Sequence, residues 1–283
     1  MEATVATRRQ RGKRSPEEYP VSNETRDIFR RVLLSMNGAK IPYVVGGAFA
    51  LHQHSGFWRV AKDLDLFLPP RYVDRAMETL ARAGFPSWRK HPEWLAQVIA
   101  DQYQVDLIYG MGNWLQFVDE DYIRYAPTGK VLGVRCKIMA AEEVVYSKAF
   151  VAARDRYDAG DIFHVLATTA RRLDWQRILK RFGEHWEVLL SHLIMFRYVY
   201  PSHRDDIPPE VMDELLARLE QTRREPWSDG KITRGFLLDP NGTYALDVRE
   251  WGYRDARQEA WEELRRREGH PTDAGKSPGK ATA

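Results

Sequence analysis

Apolar and polar positions change rhythm along this chain. The first twenty or so residues show no periodicity and include Pro16 and Pro20, a pattern that reads as a disordered tail. Ile28, Phe29, Val32, Leu33 and Met36 then recur at helical spacing, with Asn23 or Thr25 placed to cap the helix and Asn37-Gly38 to end it. Ile41 to Val45 is a short apolar run closed by Gly46-Gly47, the mark of a strand entering a tight turn. A helical pattern resumes from Phe49 to His54. Asp63-Leu64-Asp65-Leu66 alternates charged and apolar residues, as a half-buried strand does. Val73 to Gly84 reads as an amphipathic helix, Gln104 to Tyr109 as a strand carrying Asp106, and Val131 to Met139 as a further strand.

Beyond Ala140 the rhythm is helical. Segments 142–153, 161–172, 175–182, 186–200 and 209–223 all carry the 3.6-residue period, the last opening on Pro208-Pro209. Residues 231–257 break that rhythm with Gly235, Asp239-Pro240-Asn241-Gly242 and a mixture of aromatic and charged residues, read as an arm packed back on the first half. From about Gly269 the chain is a polar Gly/Pro/Ser/Lys tail. An α/β half is expected first and an α half second.

Composition narrows the classes. With 43% hydrophobic and 29% charged residues the 283-residue chain can bury a substantial core. No stretch approaches the roughly 20 apolar residues that cross a bilayer, and no apolar segment follows the basic N-terminus as in a secretory signal. The single cysteine, Cys136, permits neither an internal disulfide nor a cysteine zinc cluster, so the cytoplasm is the expected location. Net charge is only +3. Basic residues gather in the first fourteen positions, an arm more simply read as solvated but able to touch nucleic acid.

The acids carry the chemistry. Asp63 and Asp65 stand two apart on one strand and leave the same face, while Leu64 and Leu66 enter the core. With Asp106 on a neighbouring strand, three carboxylates converge. At about 4 Å and an effective dielectric near 20, each pair repels by roughly 4 kcal/mol. Mg²⁺ or Mn²⁺ would relieve that repulsion and bind substrate phosphates. The alternative is that the acids merely pair with Arg59, Lys62 or Arg71. Gly46-Gly47, lacking β-carbons, lets a phosphate approach the backbone N–H groups at the start of the following helix. There is no Walker lysine and no G-x-G-x-x-G, so P-loop and dinucleotide readings fail.

Gly46-Gly47, then fifteen residues, then Asp63-Leu64-Asp65, then Asp106 resembles the signature of the nucleotidyltransferase superfamily. The stretch from Val44 to Leu51, with Arg59 and Lys62 to Leu66, is similar to the AbiEii-type toxins, and the pattern also resembles aminoglycoside adenylyltransferases. The likeness runs through Glu142-Glu143 and Lys148 to Arg154, Asp158, Asp161 and His164, covering about residues 40–170. It departs in three ways: Gly47 stands where many members have serine, the Gly-to-Asp spacing is slightly long, and His164 stands where an acid is expected.

The resemblance implies an α+β fold, with a mixed nucleotidyltransferase sheet and flanking helices before a mainly helical C-terminal half. The expected divisions are a disordered basic tail (1–23), a catalytic domain (24–141), a helical domain (142–225), an aromatic-rich arm (226–265) and a disordered tail (266–283). It implies transfer of a nucleoside monophosphate, AMP first among them, from an NTP to a hydroxyl with release of pyrophosphate. Asp63, Asp65 and Asp106 would hold Mg²⁺ or Mn²⁺ and perform catalysis. Gly46, Gly47, Arg59 and Lys148 would bind nucleotide, and Arg154, Asp158, Asp161 and His164 would face the acceptor. The acceptor stays open among a small molecule, a protein and an RNA end. Two other readings are a non-catalytic binding protein on the same fold and an RNA- or tRNA-directed toxin-like enzyme.

Overall fold

A computed structural model describes residues 19–58, 63–100, 103–152, 156–234 and 245–267. The expectations placed on residues 1–18, Arg59, Lys62, Arg154, residues 235–244 and the C-terminal tail from residue 268 lie outside that set. Helix α1 (Asn23–Gly38) buries the stripe Ile28, Phe29, Val32, Leu33 and Met36. Its cap is Ser22, whose hydroxyl accepts from the Thr25 N–H at 3.1 Å, not Asn23 or Thr25. Tyr19 corrects the reading of 1–23 as a tail. It is buried, and its ring meets Phe49 edge-on at 4.9 Å, so residues 19–22 belong to the packed body.

The chain continues through β1 (Val44–Val45), α2 (Gly47–Ser55), β2 (Asp63–Phe67), α3 (Val73–Arg82), β3 (Ser87–His91), β4 (Leu95–Ala100), β5 (Tyr103–Ile108), α4 (Glu120–Arg124), β6 (Thr128–Val131) and β7 (Val134–Lys137). Five strands form one mixed sheet in the order β1-β2-β5-β4-β3. Only β2 and β5 run parallel. Strands β3 and β4 have no counterpart in the sequence pattern. Segment 131–139, read as one strand, instead contains the turn and second arm of the hairpin β6–β7. Leu132 (φ 52°) and Gly133 (φ 79°) form the turn, both in the left-handed region that a two-residue hairpin requires.

Alternation sorts the two faces of the sheet. Leu64, Leu66, Val105 and Leu107 are fully buried on one face. Helix α3 covers the outer strands on that side, burying Val73, Ala76 and Leu80 and pairing Asp74 with Arg89 at 2.7 Å. Asp63, Asp65 and Asp106 leave the other face, beside the start of α2.

The helical half comprises α5 (Ala141–Ala149), α6 (Ala159–Thr169), α7 (Trp175–Phe182), α8 (Trp186–Val199) and α9 (Pro209–Arg224). An ion network locks it together. Glu143, fully buried, accepts from Arg177 Nη1 at 2.7 and 2.9 Å. Arg177 also meets Glu142 at 2.5 Å, and Arg181 bridges Glu143 to Asp119 just before α4. The hydrophobic core runs continuously from α1 through the sheet into α8 and α9.

Two short strands, β8 (Ile232–Thr233) and β9 (Arg254–Asp255), pair in parallel, with α10 (Ala245–Glu250) between them in sequence and α11 (Ala256–Arg267) after them. Trp261 of α11 stacks on Phe117 at 6.0 Å, which ties the arm to the loop leaving β5. Among the described residues no helix is long and apolar enough to cross a membrane.

Candidate active site

Strand register brings the acids together. The β2–β5 pairing sets Asp65 directly opposite Asp106, with Asp63 one pleat away on the same face. One carboxylate oxygen from each lies within 4.8 Å of the others. All three side chains are half-buried. Burial, reinforced by the charges of Asp63 and Asp106, pushes the Asp65 carboxyl up to about 7. Burial also raises Asp106, against two amide donors: Gln104 Nε2 at 2.8 Å and Gln97 Nε2 at 3.2 Å, both on Oδ1.

The glycine turn is built against the same acids. Gly46 N–H donates to the Asp65 carbonyl at 2.9 Å and links the turn to β2. Gly47 has φ +52°, a conformation that favours glycine, and a β-carbon there would overlap Asp65 Oδ2. A side chain on Gly46 would instead strike the Phe67 ring and Met139. Helix α2 opens at Gly46 without a side-chain cap, so the N–H groups of its first turn have no intrahelical partner. That end of the helix favours negative charge.

Oxygen-only ligands, mutual distances short enough for one ion and an acid raised by burial and by its acidic neighbours together fit a hard divalent cation of the Mg²⁺ or Mn²⁺ kind. No histidine or thiol belongs to the cluster. A cation there would offset the repulsion, and the uncapped helix start beside it suits phosphate oxygens.

Positive charge faces the acids from the helical half. Lys148 on α5 is buried, and its Nζ lies 2.8 Å from Asp158 Oδ2 and 2.8 Å from Asp161 Oδ2. Arg156 clasps Asp158 through Nε and Nη2, each at 3.1 Å. Although burial pushes Asp158 up, Arg156 and Lys148 hold it down to about 2. The charges of Lys148 and Arg156 both reach Asp65. Asp158 and Asp161 are therefore the partners of Lys148. The Lys148 ammonium is correspondingly shared between two carboxylates. His164 sits one turn beyond Asp161 and stacks on Phe57 (4.4 Å between centroids), past the C-terminal end of α2. It belongs with Phe57, away from the acid cluster at the helix's opposite end.

Gln97 and Gln104 were missed from sequence, whereas Arg156 stood in a charged patch with Asp158 and Asp161 that reads equally as ion-paired helix surface. Gln104 carried a faint signal, two residues before Asp106 and so on its face. Gln97 carried none, because its strand was not recognised.

The family model described as "Nucleotidyl transferase of unknown function (DUF2204)" matches residues 25–191. No curated protein matches the chain. Among solved structures, the chain is similar to the antibiotic-resistance factor ANT(2'')-Ia, with 14% identity over 72% of this chain and 98% of that one and a TM-score of 0.40. It is similar to the lincosamide antibiotic adenylyltransferase LnuA, lincomycin-bound, with 13% identity over 53% and 99% of the two chains and a TM-score of 0.38. An antigenic nucleotidyltransferase-like protein from Paracoccidioides brasiliensis gives 16% identity over 67% and 96%, with a TM-score of 0.45.

Proposed function

The chain belongs to the DUF2204 family of nucleotidyl transferases, and from that premise we propose that it moves AMP from ATP to a hydroxyl of an acceptor, releasing pyrophosphate. The observation that carries this reading is the meeting of Asp63, Asp65 and Asp106 beside the glycine turn. Asp63, Asp65 and Asp106 would hold a divalent cation, Mg²⁺ or Mn²⁺. When bound, that ion neutralises phosphate charge and lowers the pKa of the acceptor hydroxyl.

The protein's own groups do the rest. Gly46 and Gly47 let the turn close tightly against Phe67 and Asp65, and the first N–H groups of α2 would donate to the triphosphate's oxygens. Lys148 and Arg156 set positive potential across from the acids and keep the nucleotide's charge balanced at the helical side. Gln97 and Gln104 fix Asp106 through Oδ1, leaving Oδ2 to take the acceptor's proton. The acceptor oxygen then forms a bond to the α-phosphorus as the bond from that phosphorus to the β-phosphate bridge oxygen breaks. Pyrophosphate departs with the electron pair. Rate acceleration on this account comes mainly from positioning and charge placement. We divide the chain functionally at about residue 141, with the helical half forming the opposite wall of the site.

The test uses ATP labelled at either the α- or the γ-phosphate, with Mg²⁺ and a cell extract as acceptor source. Label should pass to an acceptor from the α position only, and Asp65→Asn should abolish it. Transfer of the γ label, or undiminished transfer by Asp65→Asn, would overturn the reading.

A further inference from the structure

The catalytic face of the sheet does not stop at Asp106. Directly opposed residues on paired strands share a face, so the register defines a row running Asp65–Asp106–Gln97–Trp88 across β2, β5, β4 and β3. The hydrogen bond from Gln97 to Asp106 confirms that the row lies on the acid side. Trp88, at its outer end on an edge strand, is 44% exposed. It stands two strand spacings, about 10 Å, from Asp106. Arg89, the next residue, turns to the opposite face, where it meets Asp74 and Tyr109.

Lys90 follows where the β3–β4 register shifts, between Arg89 and His91. It is exposed, enters no ion pair among the described residues, and its charge reaches Asp106. The outer end of the catalytic face thus presents a bare indole and an unspent ammonium. An edge strand usually carries lysine to block pairing with another chain. A large exposed indole has no such purpose and is a common stacking platform for flat rings.

We propose that Trp88 and Lys90 form the acceptor subsite, and that it takes a hydroxyl-bearing acceptor with a flat ring and negative charge, of nucleotide type. The ring stacks on Trp88 and the anionic group faces Lys90, while the hydroxyl reaches Asp106 along the row. The assignment rests on the nucleotidyl-transfer reading above, which supplies the donor site.

The test uses the full chain labelled with 5-fluorotryptophan, with the Trp88 fluorine resonance identified by its loss in Trp88→Phe. The donor site is first saturated with Mn²⁺ and α,β-methylene ATP. A 5′-phosphorylated adenosine dinucleotide, sucrose and tobramycin are then titrated separately. The dinucleotide should shift the Trp88 resonance. Its affinity should fall about ten-fold or more in Trp88→Ala, while Trp88→Phe keeps most of it. Lys90→Gln should weaken binding and flatten its dependence on salt. Preferential binding of sucrose or tobramycin, or dinucleotide affinity indifferent to Trp88→Ala, overturns the subsite. Failure of the ATP analogue and Mn²⁺ to bind at all would instead sink the underlying donor-site reading.

Discussion

Replacing Asp65 with asparagine removes one of three charges from the acid cluster while keeping the side chain's shape. In the cation-free protein that charge is a burden. Burial and the neighbouring Asp63 and Asp106 push the Asp65 carboxyl to about 7, from an ordinary value of 3.8. At about 1.4 kcal/mol per pH unit the shift sets a ceiling near 4 kcal/mol, and solvent access to a half-buried group lowers it to roughly 2–4 kcal/mol. Between about pH 4 and pH 7 the folded chain keeps a proton that the unfolded chain has released. Stability from this group therefore falls as pH rises through that window, and the loss is complete above about pH 7. Asparagine never incurs it. In EDTA at pH 8, Asp65→Asn should melt higher than the wild type by about 4–8 °C, taking roughly 2 °C per kcal/mol for a chain of this size. The gap should close as pH approaches about 4. Adding Mn²⁺ should raise the wild-type melting temperature and leave the variant nearly unmoved. Differential scanning calorimetry across that pH series decides the matter. A variant no more stable than wild type in EDTA at pH 8, or a gap independent of pH, would refute the picture of crowded, cation-demanding carboxylates.

Three other perturbations test separate parts of the structure. Gln97→Leu frees Asp106 Oδ1 from one of its two amides, and should weaken Mn²⁺ binding about ten-fold in an electron paramagnetic resonance titration while the fold persists; unchanged affinity would remove Gln97 from the site's support. Glu143→Ala removes the buried carboxylate shared by Arg177 and Arg181, leaving each with one acid partner, Glu142 and Asp119, and should cost about 1.5–3 kcal/mol in urea denaturation, a loss that Glu143→Asp should soften. Lys148→Met removes the ammonium that helps hold Asp158 near 2. Because a lowered carboxylate stabilises above its unfolded value and loses that stability as pH falls through about 4 to 2, the variant should be less stable than wild type at pH 7, with a smaller deficit near pH 3.

The inner strands were legible because they are sandwiched between two environments. Asp63 to Phe67 alternates cleanly, and that alternation alone predicted two acids on one face. The helices of the second half were legible for the same reason at a different period, and Trp175–Phe182 spans the expected residues. Strands β3 and β4 were hidden by their positions. Ser87–His91 lies at the sheet edge, where Trp88, Arg89 and Lys90 are all exposed, so no apolar rhythm marks it. In β4, Ala96 and Val98 face the core while Leu95 and Gln97 are buried on the other face, so apolar residues occur on both faces and no alternation marks the strand. Segment 131–139 read as one strand because Leu132 is apolar despite its left-handed backbone, and only Gly133 beside it hints at a turn. The partners of Lys148 lie ten and thirteen positions later, across a bend between helices that no local pattern encodes. Local rhythm captures which face a residue takes; it does not capture which distant charge it meets.

The acid on β2 occupies the volume that a β-carbon at position 47 would need. Two positions eighteen residues apart in sequence are thus bound in their evolutionary freedom: a drift from glycine to serine at the turn becomes tolerable only after the carboxylate has swung aside or the strand has receded. Anyone placing serine at position 47 of this scaffold should expect to redesign the strand with it, because the β-carbon that carries the new hydroxyl would displace an oxygen of the acid it was meant to assist.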